Sequence, residues 1–255
     1  MKLKELYNKI IALDDLKPSA EVNALFSELV SKAIDLENKE KLSFNERIEL
    51  QKLCSLSEYQ LERYWVEKIL ASENAEEMLR SFPYFQNYKE LTKLEYYALN
   101  GCVEHSDHQM LFIGGGPLPL TAIVLALDFG VKSTVLDIDE SAVALSTELI
   151  RRLGLENMIQ VVQKSGAEFT EYSDFNVIFI AALAGIDAKT KRGIFSQVKK
   201  FANKGTHILA RSSWGNRKLL YRPLSKRLFK EFTPIIEVNP FHQVVNSVVV
   251  FKYDR

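Results

Sequence analysis

The stretch MLFIGGGPLPLTAIVLALDFG, residues 110–130, constrains the chain more than any other: 21 residues with one charge, Asp128, broken near the start by three glycines and two prolines. A membrane span needs about 20 apolar residues in one continuous helix. Gly114, Gly115, Gly116, Pro117 and Pro119 would interrupt that helix about one turn after it began. The pattern fits instead a buried strand over 110–113, a glycine bend, and a helix over 118–129 with Pro119 in its first turn. Such a unit opens a doubly wound sheet. Glycines let a ligand come close to the backbone, and the free amides at the helix start favour a polar or anionic group there.

The texture changes at about residue 109. Before it the period is helical: Val22, Leu25, Phe26, Leu29, Val30, Ala33 and Ile34 share one helix face, with Ser19 placed as a cap. Ser43 and Glu46 form a capping box that opens the long run FNERIELQKLCSLSEYQLERYWVEKILAS. After it, short apolar runs (MLFIG, STVLDI, IQVVQ, NVIFIAAL, THILARS) alternate with helix-length segments such as SAVALSTELIRRLG and TKRGIFSQVKKFAN. Alternation of this kind predicts right-handed βαβ units and a mostly parallel sheet covered on both faces. FTPIIEVNP and NSVVVFKYD have no helix between them and predict a terminal antiparallel hairpin. The expected architecture is α/β: an all-helical domain over 1–100, then a Rossmann-like domain over 101–255, divided near Asn100–Gly101.

Thirty-three basic residues balance thirty-three acidic ones, which removes the electrostatic drive toward nucleic acid or anionic membrane and points to a small-molecule or protein partner. Cys54 and Cys102 lack any CxxC or ligand spacing, and His105, His108, His207 and His242 form no recognisable ligand set, so no metal site is expected in the protein. MKLKELYNKI lacks the apolar core of a signal peptide, so a cytoplasmic location is expected.

The second predicted strand ends VLDID and places Asp137 23 residues after Gly114, where an acidic side chain can hydrogen-bond the hydroxyls of an adenosine ribose. Asp139 reads as a helix cap. A dinucleotide fold would want a third glycine where Pro119 stands. The single bend and terminal hairpin fit the sheet of S-adenosylmethionine-dependent enzymes better, with Gly114, Gly115, Gly116, Pro117 and Asp137 as contacts for that donor. Ser165, Gly166 and Ala167 in QKSGAEF, after the third strand, are the expected adenine contacts.

The strings GGGPLPLT, LRSFPYFQNYKELTKLEY and RSSWGNRKLLYRPL together resemble the nicotianamine synthase family and its bacterial relatives that make opine-type metallophores, over roughly residues 45–252. The resemblance implies transfer of the 3-amino-3-carboxypropyl (aminobutyrate) arm of S-adenosylmethionine to an amino-acid amine, with release of methylthioadenosine. It puts the catalytic glutamate at Glu62 and the active-site tyrosine at Tyr88. It also places Arg80, Tyr84, Arg211, Arg217 and Tyr221 by the substrate. The metal would be bound by the product, and a homodimer is among the assemblies left open.

Read without the family, Glu62 is an odd residue for its position. Tyr59, Trp65, Val66 and Ile69 stand at −3, +3, +4 and +7 from it, so a carboxylate lies on an apolar and aromatic stripe, although Glu58 at −4 is charged too. The stripe alone fits either a solvated or ion-paired glutamate, or a desolvated one with a pKa raised toward general-base use. Arg211 and Arg217 suit carboxylate clamping by type, or a basic surface patch. A small-molecule methyltransferase and a non-catalytic adenosine-ligand sensor remain open on the same fold.

Overall fold

The computed structural model describes residues 1–103, 108–182, 184, 188–225 and 231–254. Among these the chain opens with helices α1 (Leu3–Ile11), α2 (Ala20–Ile34), α3 (Phe44–Ala71), α4 (Ala75–Arg80) and α5 (Phe85–Asn100). The caps are the residues the spacing indicates: Ser19 accepts from the Val22 amide, and Ser43 with Glu46 completes a capping box at the start of α3. Strands β1 (Met110–Ile113), β2 (Ser133–Asp137), β3 (Ile159–Gln163), β4 (Val177–Ile180) and β5 (His207–Ser212) follow, with α6 (Leu120–Phe129), α7 (Glu140–Arg152) and α8 (Ala188–Phe201) between them; β6 (Phe232–Val238) and β7 (Ser247–Tyr253) end the chain.

The seven strands form one sheet in the order β3-β2-β1-β4-β5-β7-β6. The first five are parallel, while β7 lies antiparallel to both β5 and β6. The terminal hairpin is therefore present, with its second strand inserted between β5 and the edge. Helix α6 begins at Leu120, two residues later than the sequence suggests. Pro119 is its N-cap with a non-helical ψ of 57°, so the bend runs on through Pro119. Asp139 caps α7 by accepting from the Ala142 amide.

Burial divides the interior within α3. Its C-terminal half, through Val66 and Ile69, joins Leu79, Leu91 and Leu99 in the core built on the sheet. Its N-terminal half, through Leu50 and Cys54, joins Leu6, Ile10 and Leu29 in a smaller core that also takes in Leu219, Leu220 and Val245. Helix α5 ends at Asn100 and the first strand begins at Met110, whereas the apolar interior changes hands in the middle of one 28-residue helix. Where the cores part, the α3 face carries Ser55, Glu58 and Glu62, and this face meets the C-terminal ends of β1 and β2, the usual ligand side of a doubly wound sheet.

The bend itself is tightly seated. The amides of Gly114 and Gly115 both donate to the Leu136 carbonyl at 2.8 and 3.2 Å, tying the end of β1 to β2. A Cβ on Gly115 would overlap Val135 Cγ1 in the core. Gly115→Ala is expected to lower unfolding stability by about 1–3 kcal/mol through overpacking, seen as a lower urea midpoint at unchanged slope.

Candidate active site

Two cavities flank the middle of α3. The first, about 350 Å3, is bounded by the glycine bend, the ends of β1 and β2 and the loop after β3, with Asp137, Ser165 and Gly166 on its wall. The second, about 290 Å3, lies among α2, α3, α5 and the segment before β7, with Phe26, Tyr84 and Gln243 on its wall. Glu58, Glu62, Tyr88, Tyr221 and Asn246 line both. Three side chains placed by sequence reasoning on separate segments, Glu62, Tyr88 and Tyr221, are thus brought to one junction.

The junction is built around two carboxylates one helical turn apart. Glu58 accepts from the Tyr88 hydroxyl at 2.9 Å and from the Tyr221 hydroxyl at 2.9 Å. Tyr88 also lies 3.4 Å from Glu62 Oε1, so its proton is shared toward both glutamates. Burial pushes Glu62 well above the usual carboxylate range; the charge of Glu58 and then of Asp137 push the same way, and the Tyr88 hydroxyl offsets part of this. Glu58 is raised too, chiefly by burial, with both tyrosines opposing. Burial and the facing glutamates push Tyr88 and Tyr221 far up, so both remain donors. Two desolvated carboxylates this close titrate as a pair and hold a proton between them more readily than either would alone.

The bend accommodates this pair. Gly116 has a positive φ of 63°, and a Cβ there would stand 2.8 Å from Glu62 Oε2. Its amide donates to Asp137 Oδ2 at 2.8 Å, and the Asp139 amide donates to Asp137 Oδ1 at 3.0 Å. Asp137 is thereby fixed at the cavity wall, half-buried, beside Ile138 and the Tyr59 hydroxyl, which donates to Asp139 Oδ2 at 3.3 Å. Pro117 and Ala167 lie outside the cavity wall, while Pro119, Ser165 and Gly166 form part of it.

The arginines divide. Arg211 lines the first cavity but is already neutralised: its Nε and Nη2 donate to the two Glu95 oxygens at 2.6 and 3.0 Å, and Nη2 also to Thr121 Oγ1 at 2.7 Å. With Glu95 1% and Arg211 6% exposed, this is a buried bidentate pair whose guanidinium lies under the rings of Tyr88 and Phe179. Arg211 thus meets the cavity as one half of an ion pair and is no part of a basic surface patch. Arg217 lies outside both cavities, fully buried, donating to the carbonyls of Val244 and His242 and stacked on Trp214. A direct substrate contact by Arg217 is likewise replaced by a grip on backbone. Arg80, at the end of α4, is exposed and on neither cavity wall; Tyr84 lines the second.

Comparison with known proteins fits this arrangement. A family model described as nicotianamine synthase protein matches residues 1–255, extending the expected resemblance to the first 44 residues. The chain belongs to the nicotianamine synthase family. Nicotianamine synthase of Solanum lycopersicum is 33% identical over 263 residues, covering 98% of this chain and 82% of its own. Nicotianamine synthase 3 of Arabidopsis thaliana is 35% identical over 270 residues, covering 97% and 81%. Crystal structures of MtNAS, one a glutamate-to-glutamine variant in complex with S-adenosylmethionine and one a complex with MTA and tNA, superpose with TM-scores of 0.83 and 0.84 at 26% identity, over 99% of this chain and 96% and 97% of theirs. The N-methyltransferase NodS of Bradyrhizobium japonicum, in complex with S-adenosyl-L-homocysteine, shares the fold at a TM-score of 0.50 and 14% identity, over 76% of this chain and 99% of its own.

Within this family member, sequence reasoning passed over Glu58, Glu95, Thr121 and Asn246. Glu95 carries a readable signal: with Leu91, Thr92, Ala98 and Leu99 it falls on the buried face of α5, where a carboxylate needs a buried cation. Asn246 carries none, because nothing local distinguishes it from a turn asparagine. Among the described residues no group of three or more His, Cys, Asp or Glu could hold a metal ion; His105 lies outside the described residues. No described helix is long and apolar enough to cross a membrane.

Two outcomes follow from the electrostatics. The raised pKa of Glu62 makes the native state bind more protons than the unfolded chain between the ordinary and the raised value, so native stability falls as pH rises through that window. Glu62→Gln removes this penalty and should melt higher than the parent at about pH 8, with the difference closing toward about pH 3, below the ordinary glutamate pKa, where both states are protonated. Glu95→Gln leaves Arg211 buried without its counter-charge and should destabilise by about 3–5 kcal/mol in denaturant titration.

Proposed function

We propose that this chain transfers the 3-amino-3-carboxypropyl arm of S-adenosylmethionine to the amine of an amino acid and releases methylthioadenosine, as one step in making a metal-chelating metallophore. The observation that carries the proposal is Glu62: a desolvated carboxylate, hydrogen-bonded through Tyr88, on the wall common to both cavities and against the glycine bend. MtNAS complexes with S-adenosylmethionine and with MTA and tNA support the choice of donor. The first cavity fits that donor, with Asp137 toward a ribose, Ser165 and Gly166 toward a base, and Gly116 leaving room by the bend. The helices of 1–100 then act as the part that supplies the base and the acceptor chamber, and residues 101–255 as the donor-binding part.

The roles follow from the chemistry. A primary amine is mostly protonated near neutral pH and must lose a proton to attack carbon. Glu62 takes that proton. The nitrogen lone pair attacks the γ-methylene, the carbon–sulfur bond breaks, and its electron pair stays on sulfur, converting the sulfonium to the neutral thioether of methylthioadenosine. Tyr88, held protonated, orients Glu62 and Glu58 and fixes the line of approach. Tyr221 and Tyr84 shape the chamber on the acceptor side. The acceptor amine enters from the second cavity and therefore reaches the junction from the side opposite the glycine bend.

Incubation of the pure protein with S-adenosylmethionine and an L-amino-acid mixture is expected to release methylthioadenosine in step with a product heavier by one aminocarboxypropyl group, read by mass spectrometry. Glu62→Gln should lower kcat by about 10²–10⁴-fold while donor affinity stays within a few-fold. Formation of S-adenosylhomocysteine in place of methylthioadenosine would overturn the proposal.

A further inference from the structure

We propose that Asn246 is a specificity-determining residue, whose side-chain amide donates a hydrogen bond to an amino-acid carboxylate at the junction of the two cavities. Asn246 is 6% exposed, lines both cavities, and its Nδ2 is buried with no hydrogen-bond partner among the described residues. A buried amide nitrogen without an acceptor is unfavourable, and native proteins seldom keep one unless something outside the chain completes it. The position says what completes it: a group that sits beside Glu58, Glu62, Tyr88 and Tyr221, within reach of either cavity.

Charge narrows the ligand further. None of the described residues that line both cavities is a Lys, Arg or His; on the first cavity Lys164 stands in the loop after β3, away from the second, and Arg211 is spent on Glu95. A carboxylate at the junction must therefore be held by neutral donors and kept apart from the glutamates. Of the other side-chain amides on the second cavity wall, Asn23 and Gln243 are exposed to solvent, and Asn87 Nδ2 donates to the Gln243 carbonyl at 2.9 Å. Among the described residues Asn246 is the buried amide there whose nitrogen still needs an acceptor atom.

The donor is also held in place. Asn246 immediately precedes β7, whose first residue, Ser247, pairs with Ser212 and donates through Oγ to Asn239 Oδ1 at 2.7 Å. On its other side, Arg217 grips the carbonyls of Val244 and His242 at 3.2 and 2.7 Å, and Val245 packs into the smaller core. Arg217 thus acts as a positioning residue for Asn246, which gives a function to a buried guanidinium that touches no cavity.

The inference rests on the transferase reading only in taking the ligand as an amino-acid moiety, which has two sources: the arm of S-adenosylmethionine or the acceptor. The test measures, for the parent, Asn246→Leu and the isosteric Asn246→Asp, the Kd of S-adenosylmethionine and of its decarboxylated analogue by calorimetry. It also measures the KM of the amino acid that the parent consumes from a mixture and of its decarboxylated amine. Both variants should lose about 10- to 100-fold toward the carboxylate-bearing member of one pair, with the decarboxylated member unchanged within about twofold, and the pair affected identifies the source. Equal losses toward both members, or no loss in either pair, would overturn the assignment, and Asn246→Asp carries the test should the leucine variant fail to fold. Failure of the transferase reading shows differently, in a parent protein that makes no methylthioadenosine.

Discussion

The close approach of Glu62 to the α-carbon of Gly116 is the contact on which the rest of the site depends. It is where the helical half of the chain touches the ligand end of the sheet. Any side chain at 116 would occupy the space 2.8 Å from the carboxylate oxygen and would also have to adopt a positive φ of 63°. The bend is thus shaped from both sides. Asp137 and Leu136 hold its amides from below, and α3 covers it from above. Because α3 takes part in two separate cores, its buried apolar residues, Leu50 and Cys54 on one side and Val66 and Ile69 on the other, flank the turn that carries Glu58 and Glu62. That is where Glu58 and Glu62 can be desolvated without being sealed away.

Charge at the site is arranged by cancellation below and concentration above. Arg211 and Glu95 neutralise each other in a bidentate pair that also engages Thr121, tying α5 and α6 to β5 beneath the ring of Tyr88. With that cation committed, its pull on the upper carboxylates is a minor influence compared with burial. Glu58 and Glu62 then share a poorly hydrated space, and two protonated tyrosines supply the hydrogen bonds that make it tolerable. Raised carboxylates of this kind weaken the fold at neutral pH, and groups perturbed by burial and by each other's charge gather at functional sites.

What could be read in the sequence was whatever depends on neighbours in the chain. The glycine bend, the Ser19, Ser43 and Asp139 caps, and the alternation of strand and helix are local patterns, and each stands where its spacing put it. The start of α6 was misplaced because a proline at a helix start suits N1 or N-cap, and only the ψ of Pro119 distinguishes them. Glu62 could be singled out by its apolar stripe, yet Glu58 looked like a flaw in that stripe. Its two tyrosine partners lie 30 and 163 residues away, so no local pattern announces them. Distance also hides the partners of the arginines: Glu95 and Arg211 are 116 residues apart, and the guanidinium of Arg217 bonds the carbonyls of Val244 and His242. Residue type and motif indicated that these side chains matter, while pairing across the fold decides what they do.

The sheet by itself does not choose which carbon beside a sulfonium is attacked. NodS shares this fold with 14% identity and is an N-methyltransferase, so the doubly wound sheet is compatible with methyl chemistry as well. Both the methyl and the γ-methylene are electrophilic, and selection between them is a matter of which one faces the nucleophile. Among the described residues the two carboxylates on the shared wall, Glu58 and Glu62, both come from α3, and the tyrosine that bonds them comes from α5, so in the proposed transfer the direction of attack is set by the helices before the sheet begins. Tyr84 and Tyr88 line the second cavity, Glu62 lines both, and the bend lines the first alone, so an acceptor entering as proposed would reach Glu62 before the bend. The identity of the transferred group is on this argument a property of how residues 44–100 are seated over the sheet, and it would change with that seating even if every contact to the adenosine were kept.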